Sequence, residues 1–126
     1  MAFECPSCKV NALDITLSLE LPPDAQSDEI TLQIVSCANC QFQGVAVYQE
    51  SRRGSLDSEA WHHEGYQISR SAIEDLLKVM ELCPSPGDSD CSCSSHGSLG
   101  KVNEQQYWDG LKGIEIERQF NMRLEH

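Results

Sequence analysis

Four cysteines fall in two pairs of identical spacing, Cys5-Pro6-Ser7-Cys8 and Cys37-Ala38-Asn39-Cys40, with residues 9–36 between them. No other feature constrains the fold as tightly. A Cys-x2-Cys turn brings two thiolates onto one ion, and two such turns complete a tetrahedral zinc shell with sulfur about 2.3 Å from the metal. The intervening chain must therefore leave and return, and its pattern fits. Leu13, Ile15, Leu17, Leu19 and Leu21 alternate with Asp14, Thr16, Ser18 and Glu20, the period of a half-buried strand. Pro22-Pro23 ends that run, residues 24–28 read as polar loop, and Ile30, Leu32 and Ile34 alternate with Thr31, Gln33 and Val35 as a second strand leading to Cys37. The two runs pair as an antiparallel hairpin, and a third run, Phe42 to Gln49, leaves the second cysteine pair to join the same sheet. The expectation is one structural zinc ion on Cys5, Cys8, Cys37 and Cys40.

Downstream, the period changes. Residues 51–58 read as turn or loop, and the state of Trp61-His62-His63-Glu64 is ambiguous. From Ser71, Ile73, Leu76, Leu77 and Met80 fall at helical spacing, and Ser71 with Glu74 forms a candidate capping box. This helix should stop near Cys83, because Pro84 disfavours helical geometry in the residue before it. Residues 85–100 are rich in Ser, Gly, Pro and Asp, with Leu99 as the single large apolar residue. Ile114, Ile116, Phe120 and Met122 alternate with polar residues as a last strand. The fold expected is α+β: a zinc ribbon with an antiparallel β-sheet and one main amphipathic helix. Residues 1–123 are read as a single domain, divided into ribbon and hairpin (1–50), loop and helix (51–84), a Cys/Ser/Gly-rich loop (85–100) and a C-terminal segment (101–123). Leu124-Glu125-His126 reads as the remnant of an expression tag.

The Ser-rich loop contains a second set of ligand types. Cys83, Cys91, Cys93 and His96 have the atom types for a Cys3His zinc site, which would explain how a segment with almost no apolar residues acquires order. Cys-x-Cys is a less common zinc spacing than Cys-x2-Cys, so a flexible loop and an open catalytic or redox site remain as alternatives. His62 and His63 offer imidazoles beside Glu64, but adjacent side chains diverge on either a strand or a helix, and the order does not match His-Glu-x2-His. Packing or surface roles are the simpler reading for them. Trp61, Tyr66, Tyr107 and Trp108 are read mainly as core packing, with partner anchoring as the alternative use.

The pattern of Cys-Pro-x-Cys, two strands and a second Cys-x2-Cys resembles the zinc-ribbon superfamily and is loosely similar to ZPR-type zinc finger proteins over residues 5–49. That resemblance implies a β-hairpin with metal knuckles at one end. Such ribbons serve transcription, translation and protein interaction alike, so it implies no particular activity. In this chain Lys9 and Gln41 occupy the position after each second cysteine where ribbon knuckles often carry Gly. Rubredoxin-like iron sites use similar ligand pairs, but no aromatic residue lies between Cys8 and Cys37 to build the aromatic core of those proteins.

Charge narrows the function further. Nine basic residues against 20 acidic ones give a formal charge of −11. Affinity for phosphate backbones comes largely from Lys and Arg displacing counterions, so nucleic-acid binding is disfavoured. Arg52-Arg53 is the only adjacent basic pair and reads as a solvated loop. Seven cysteines without a leader-like segment point to a reduced, cytoplasmic protein, where paired cysteines are more often ligands than bridges. The function expected is a non-enzymatic, zinc-binding interaction or regulatory module whose protein partner carries a basic surface. The alternatives are a zinc enzyme combining His62 or His63 with the Cys91-Cys93-His96 loop, and a nucleic-acid-associated ribbon.

Overall fold

The computed structural model describes residues 3–24, 29–51, 60–89 and 91–122. Its order is β1 (Phe3–Glu4), β2 (Asn11–Leu21), β3 (Glu29–Cys37), β4 (Gln43–Ser51), β5 (Ala60–Gln67), α1 (Arg70–Glu81), α2 (Ser94–Leu99) and β6 (Arg118–Asn121). All six strands form one antiparallel meander in sequence order. This overturns the expected α+β ribbon with a main helix: the molecule is mostly antiparallel sheet, curled into a half-barrel, with only small helices. Two strands account for the difference. The ambiguous His62-His63 stretch is β5, and its pairing with β4 and β6 carries the sheet well beyond the hairpin.

A bulge in β2 gives the sheet two cores. Leu13 and Ile15 pair with Cys37 and Val35, but Leu17, Leu19 and Leu21 pair with Ile34, Leu32 and Ile30. The slip of one residue falls at Thr16, whose hydroxyl donates to the Ile34 carbonyl at 3.2 Å. Because side chains alternate with a period of two, such a slip exchanges faces. Leu19 and Leu21 therefore join Ile30, Leu32, Ile34, Val45 and Val47 in the larger core, whereas Leu13 joins Val35, Ala46 and Met122 in the smaller one on the opposite face. Ile30 through Val35 are consequently all buried in β3.

Helix α1 closes the larger core with Ile73, Leu76 and Met80, each contributing roughly 1.5–3 kcal/mol by burial. It begins two residues earlier than the Ser71–Glu74 pattern implies. Ser69 has extended backbone angles and its hydroxyl accepts from the Ala72 amide, so Ser69 is the N-cap. The last strand is also shorter than expected. Only Arg118–Asn121 pair as strand; Ile116 is exposed and Ile114 packs instead against the larger core. On the smaller face, the Phe120 ring lies over Gly65 so closely that a Cβ there would collide with it. The loops predicted over 24–28 and 51–58, like residues 124–126, lie wholly or mostly outside the described residues.

Candidate metal centres

At the first site, two knuckles repeat one geometry. The Cys5 amide donates to the Val10 carbonyl at 2.9 Å and the Lys9 amide to the Cys5 carbonyl at 3.0 Å; the Cys37 amide donates to Phe42 at 2.8 Å and Gln41 to Cys37 at 2.9 Å. In each knuckle the amide two residues on, Ser7 or Asn39, donates to the first sulfur at 3.4 Å. Lys9 and Gln41 share a φ of 65°. The positions where ribbons often carry Gly thus adopt the left-handed conformation, strained for residues with a Cβ.

The knuckles face one another. Cys5 Sγ lies 3.6 Å from Cys40 Sγ, and Cys8 Sγ 3.7 Å from Cys37 Sγ. A disulfide needs about 2.05 Å, whereas sulfurs on a tetrahedral zinc stand about 3.8 Å apart. The spacing is that of ligands, and all seven cysteines of the chain are free thiols. Cys5 and Cys37 are buried in the smaller core, while Cys40 is exposed. Burial pushes the Cys5 thiol up to about 12. The Asn39 side-chain amide, donating to Cys8 Sγ at 3.4 Å, draws that thiol down to about 6. Metal binding here would release protons, so affinity would fall in acid.

The second site gathers residues from the end of α1 and the start of α2. Cys83 follows the C-cap of α1; Cys93 is the N-cap of α2, its sulfur accepting from the His96 amide at 3.4 Å. Cys83 Sγ is 3.9 Å from Cys91 Sγ and 3.2 Å from His96 Nδ1, which in turn lies 3.4 Å from Cys93 Sγ. The four ligand atoms lie within 4.8 Å of one another, as do those of the first site. Burial pushes the Cys83 thiol up to about 11. The His96 backbone amide, followed by its side chain, draws Cys93 down to about 6.

The orientation of His96 is fixed from the sheet. Its Nε2 lies 2.7 Å from the Glu20 carbonyl. A carbonyl can only accept, so Nε2 carries the proton and Nδ1 presents its lone pair to the sulfurs, the arrangement metal-ligating histidines use. The Glu20 amide meanwhile donates to the Pro86 carbonyl at 2.8 Å. The Ser-rich segment therefore covers the outer edge of β2, and Ser95 ties it to α1 by donating to the Val79 carbonyl.

The sheet separates the two sites. Cys5, Cys8 and Cys37 pack in the smaller core, and Cys83, Cys91 and Cys93 against the larger one. The expected second set is thus brought together, and each cluster can hold a metal ion. His62 and His63 join neither. His63 Nε2 donates to Gln33 Oε1 at 2.7 Å and the ring meets the edges of Phe3 and Tyr48, while His62 is exposed. Trp108 packs against the larger core, with its indole N–H on the Leu99 carbonyl at 2.8 Å. Tyr66 packs there too and Tyr107 is exposed; the Trp61 side chain lies outside the described residues. Signals missed in the sequence are the β2 bulge and the Glu20 carbonyl, a backbone group that no residue type announces.

No protein-family model, curated protein or solved structure matches this chain. The class is therefore set by the architecture itself: a mainly antiparallel β protein with two cysteine-rich clusters able to hold metal. No helix among the described residues is long and apolar enough to cross a membrane.

Proposed function

We propose that this protein is a two-zinc scaffold, each ion fastening one face of the sheet, and that it serves as a non-enzymatic interaction module. The observation that carries this reading is the gathering of eight ligand atoms into two sets of four, each within 4.8 Å. Four protein ligands fill the tetrahedral preference of zinc and leave no position for water or substrate, as in structural rather than catalytic sites. Thiolate and imidazole donors suit zinc, and the S···S separations fit its bond lengths. The histidines that an enzymatic reading requires stand apart from both sets, which favours interaction over catalysis. An acidic surface would draw in a basic protein partner and would weaken with salt.

Zinc per chain tests this reading in protein purified without added metal. Two equivalents are expected in the wild type and one in Cys8→Ser and Cys93→Ser alike. One equivalent in the wild type, unchanged by Cys93→Ser, would refute the second centre.

A further inference from the structure

Between α1 and the chain that follows α2 lies a groove of about 720 Å³, within the range of pockets that enclose a ligand. Ala72 and Val79 form one wall, Leu76, Leu99 and Ile114 the apolar floor, and Val102, which is 43% exposed, a lip. Around this floor stand four carboxylates, Asp75, Asp109, Glu115 and Glu117, against two ammonium groups, Lys101 and Lys112. We infer that this groove binds an extended peptide segment of a partner protein in which an apolar side chain is flanked by Lys or Arg.

The size, floor and rim select this occupant. An apolar side chain gains hydrophobic contact with Ala72, Val79 and Ile114, which are only half-buried, and with the exposed Val102. A wholly apolar ligand would desolvate the rim carboxylates without a partner, which costs free energy, whereas flanking cations meet them at the solvent boundary. Phosphorylated or acidic segments face a chain of charge −11 and are repelled before contact. The groove also connects with the second ligand set. Cys83 follows the C-cap of its helix wall, and the opposite wall starts from α2, which carries His96 and is capped by Cys93. A metal there clamps the two walls at one end.

The inference names the surface used by the interaction module proposed above, and its test keeps the two separable. A random decapeptide library displayed on phage is panned against the full zinc-loaded chain, and an enriched peptide is labelled with fluorescein for anisotropy. Enriched sequences should place Lys or Arg beside an apolar residue. Asp75→Lys with Glu115→Lys should weaken binding roughly tenfold or more. Asp14→Lys with Glu81→Lys, the same charge change outside the groove, should weaken it far less. Amide shifts of the wild type on titration with the peptide should centre on Ala72, Val79, Lys101 and Gly110. Failure to enrich, acidic consensus sequences, equal loss in the two double variants, or shifts centred elsewhere would each overturn the groove as the site. Zinc content measured on every sample reports separately on the scaffold: two equivalents with no peptide binding rejects the groove alone.

Discussion

The two ligand sets differ in what surrounds them. Among the described residues, two of the six buried in the smaller core, Cys5 and Cys37, are candidate ligands of the first site; of the thirteen in the larger core, Cys83 alone is a candidate ligand. The smaller core is thus partly made of its metal site, whereas the larger core has enough aliphatic contact from three strands and α1 to stand without one. Metal binding that coincides with forming a core is folding free energy. Metal binding that gathers a peripheral segment is local order. The same chemistry should therefore have unequal consequences on the two faces.

The sharpest break would come from Cys37→Ser. It removes a ligand and introduces a hydroxyl into the smaller core, and it should destabilise the fold by about 3–5 kcal/mol, read as a lowered denaturation midpoint with loss of one zinc. Cys93→Ser should cost only about 1 kcal/mol globally. Its effect belongs in hydrogen exchange, with amides of residues 84–100 losing protection while β2 to β4 keep theirs. Equal midpoints for the two variants would dissolve the comparison.

Acid sharpens it from another side. Burial lowers the pKa of His63, whose neutral ring lies beside the smaller core on Gln33 and Phe3. The folded protein resists protonating it, so the unfolded chain binds more protons in acid. The stabilisation is full above about pH 6.5 and is lost as pH falls through and below that value. The stability difference between wild type and His63→Gln should then shrink on acidification; a difference flat from pH 8 to 5 would show that the ring is solvated. The smallest effect lies in the knuckles. Lys9→Gly and Gln41→Gly relieve a φ of 65° and should each stabilise by about 0.5–1 kcal/mol after the entropy that Gly adds to the unfolded chain. Destabilisation in both would mean that side-chain contacts outweigh backbone strain.

Local patterns were legible and long-range ones were not. Cys-x2-Cys spacing and the alternation of β2 to β4 depend on neighbours in sequence, and so does the amphipathic face of α1. The alternation of Leu13 to Leu21 continues unbroken across Thr16, so nothing in the residues reveals that the bulge divides that run between two cores. Strand β5 lacked apolar alternation because its smaller-core face presents His63 to Gln33 and Gly65 to Phe120, choices that make sense only against their partners. The ligand types of the second set could be counted, but their convergence depends on Glu20, 76 positions before His96. A two-residue strand such as β1 leaves no pattern to find.

Zinc-edge anomalous diffraction from crystals of the wild-type protein reads the occupancy of both ligand sets at once. Two peaks are expected on opposite faces of the sheet, each about 2.3 Å from its sulfurs: one among Cys5, Cys8, Cys37 and Cys40, the other among Cys83, Cys91, Cys93 and His96 Nδ1. A single peak, or a disulfide in place of either set, would contradict the two-zinc scaffold.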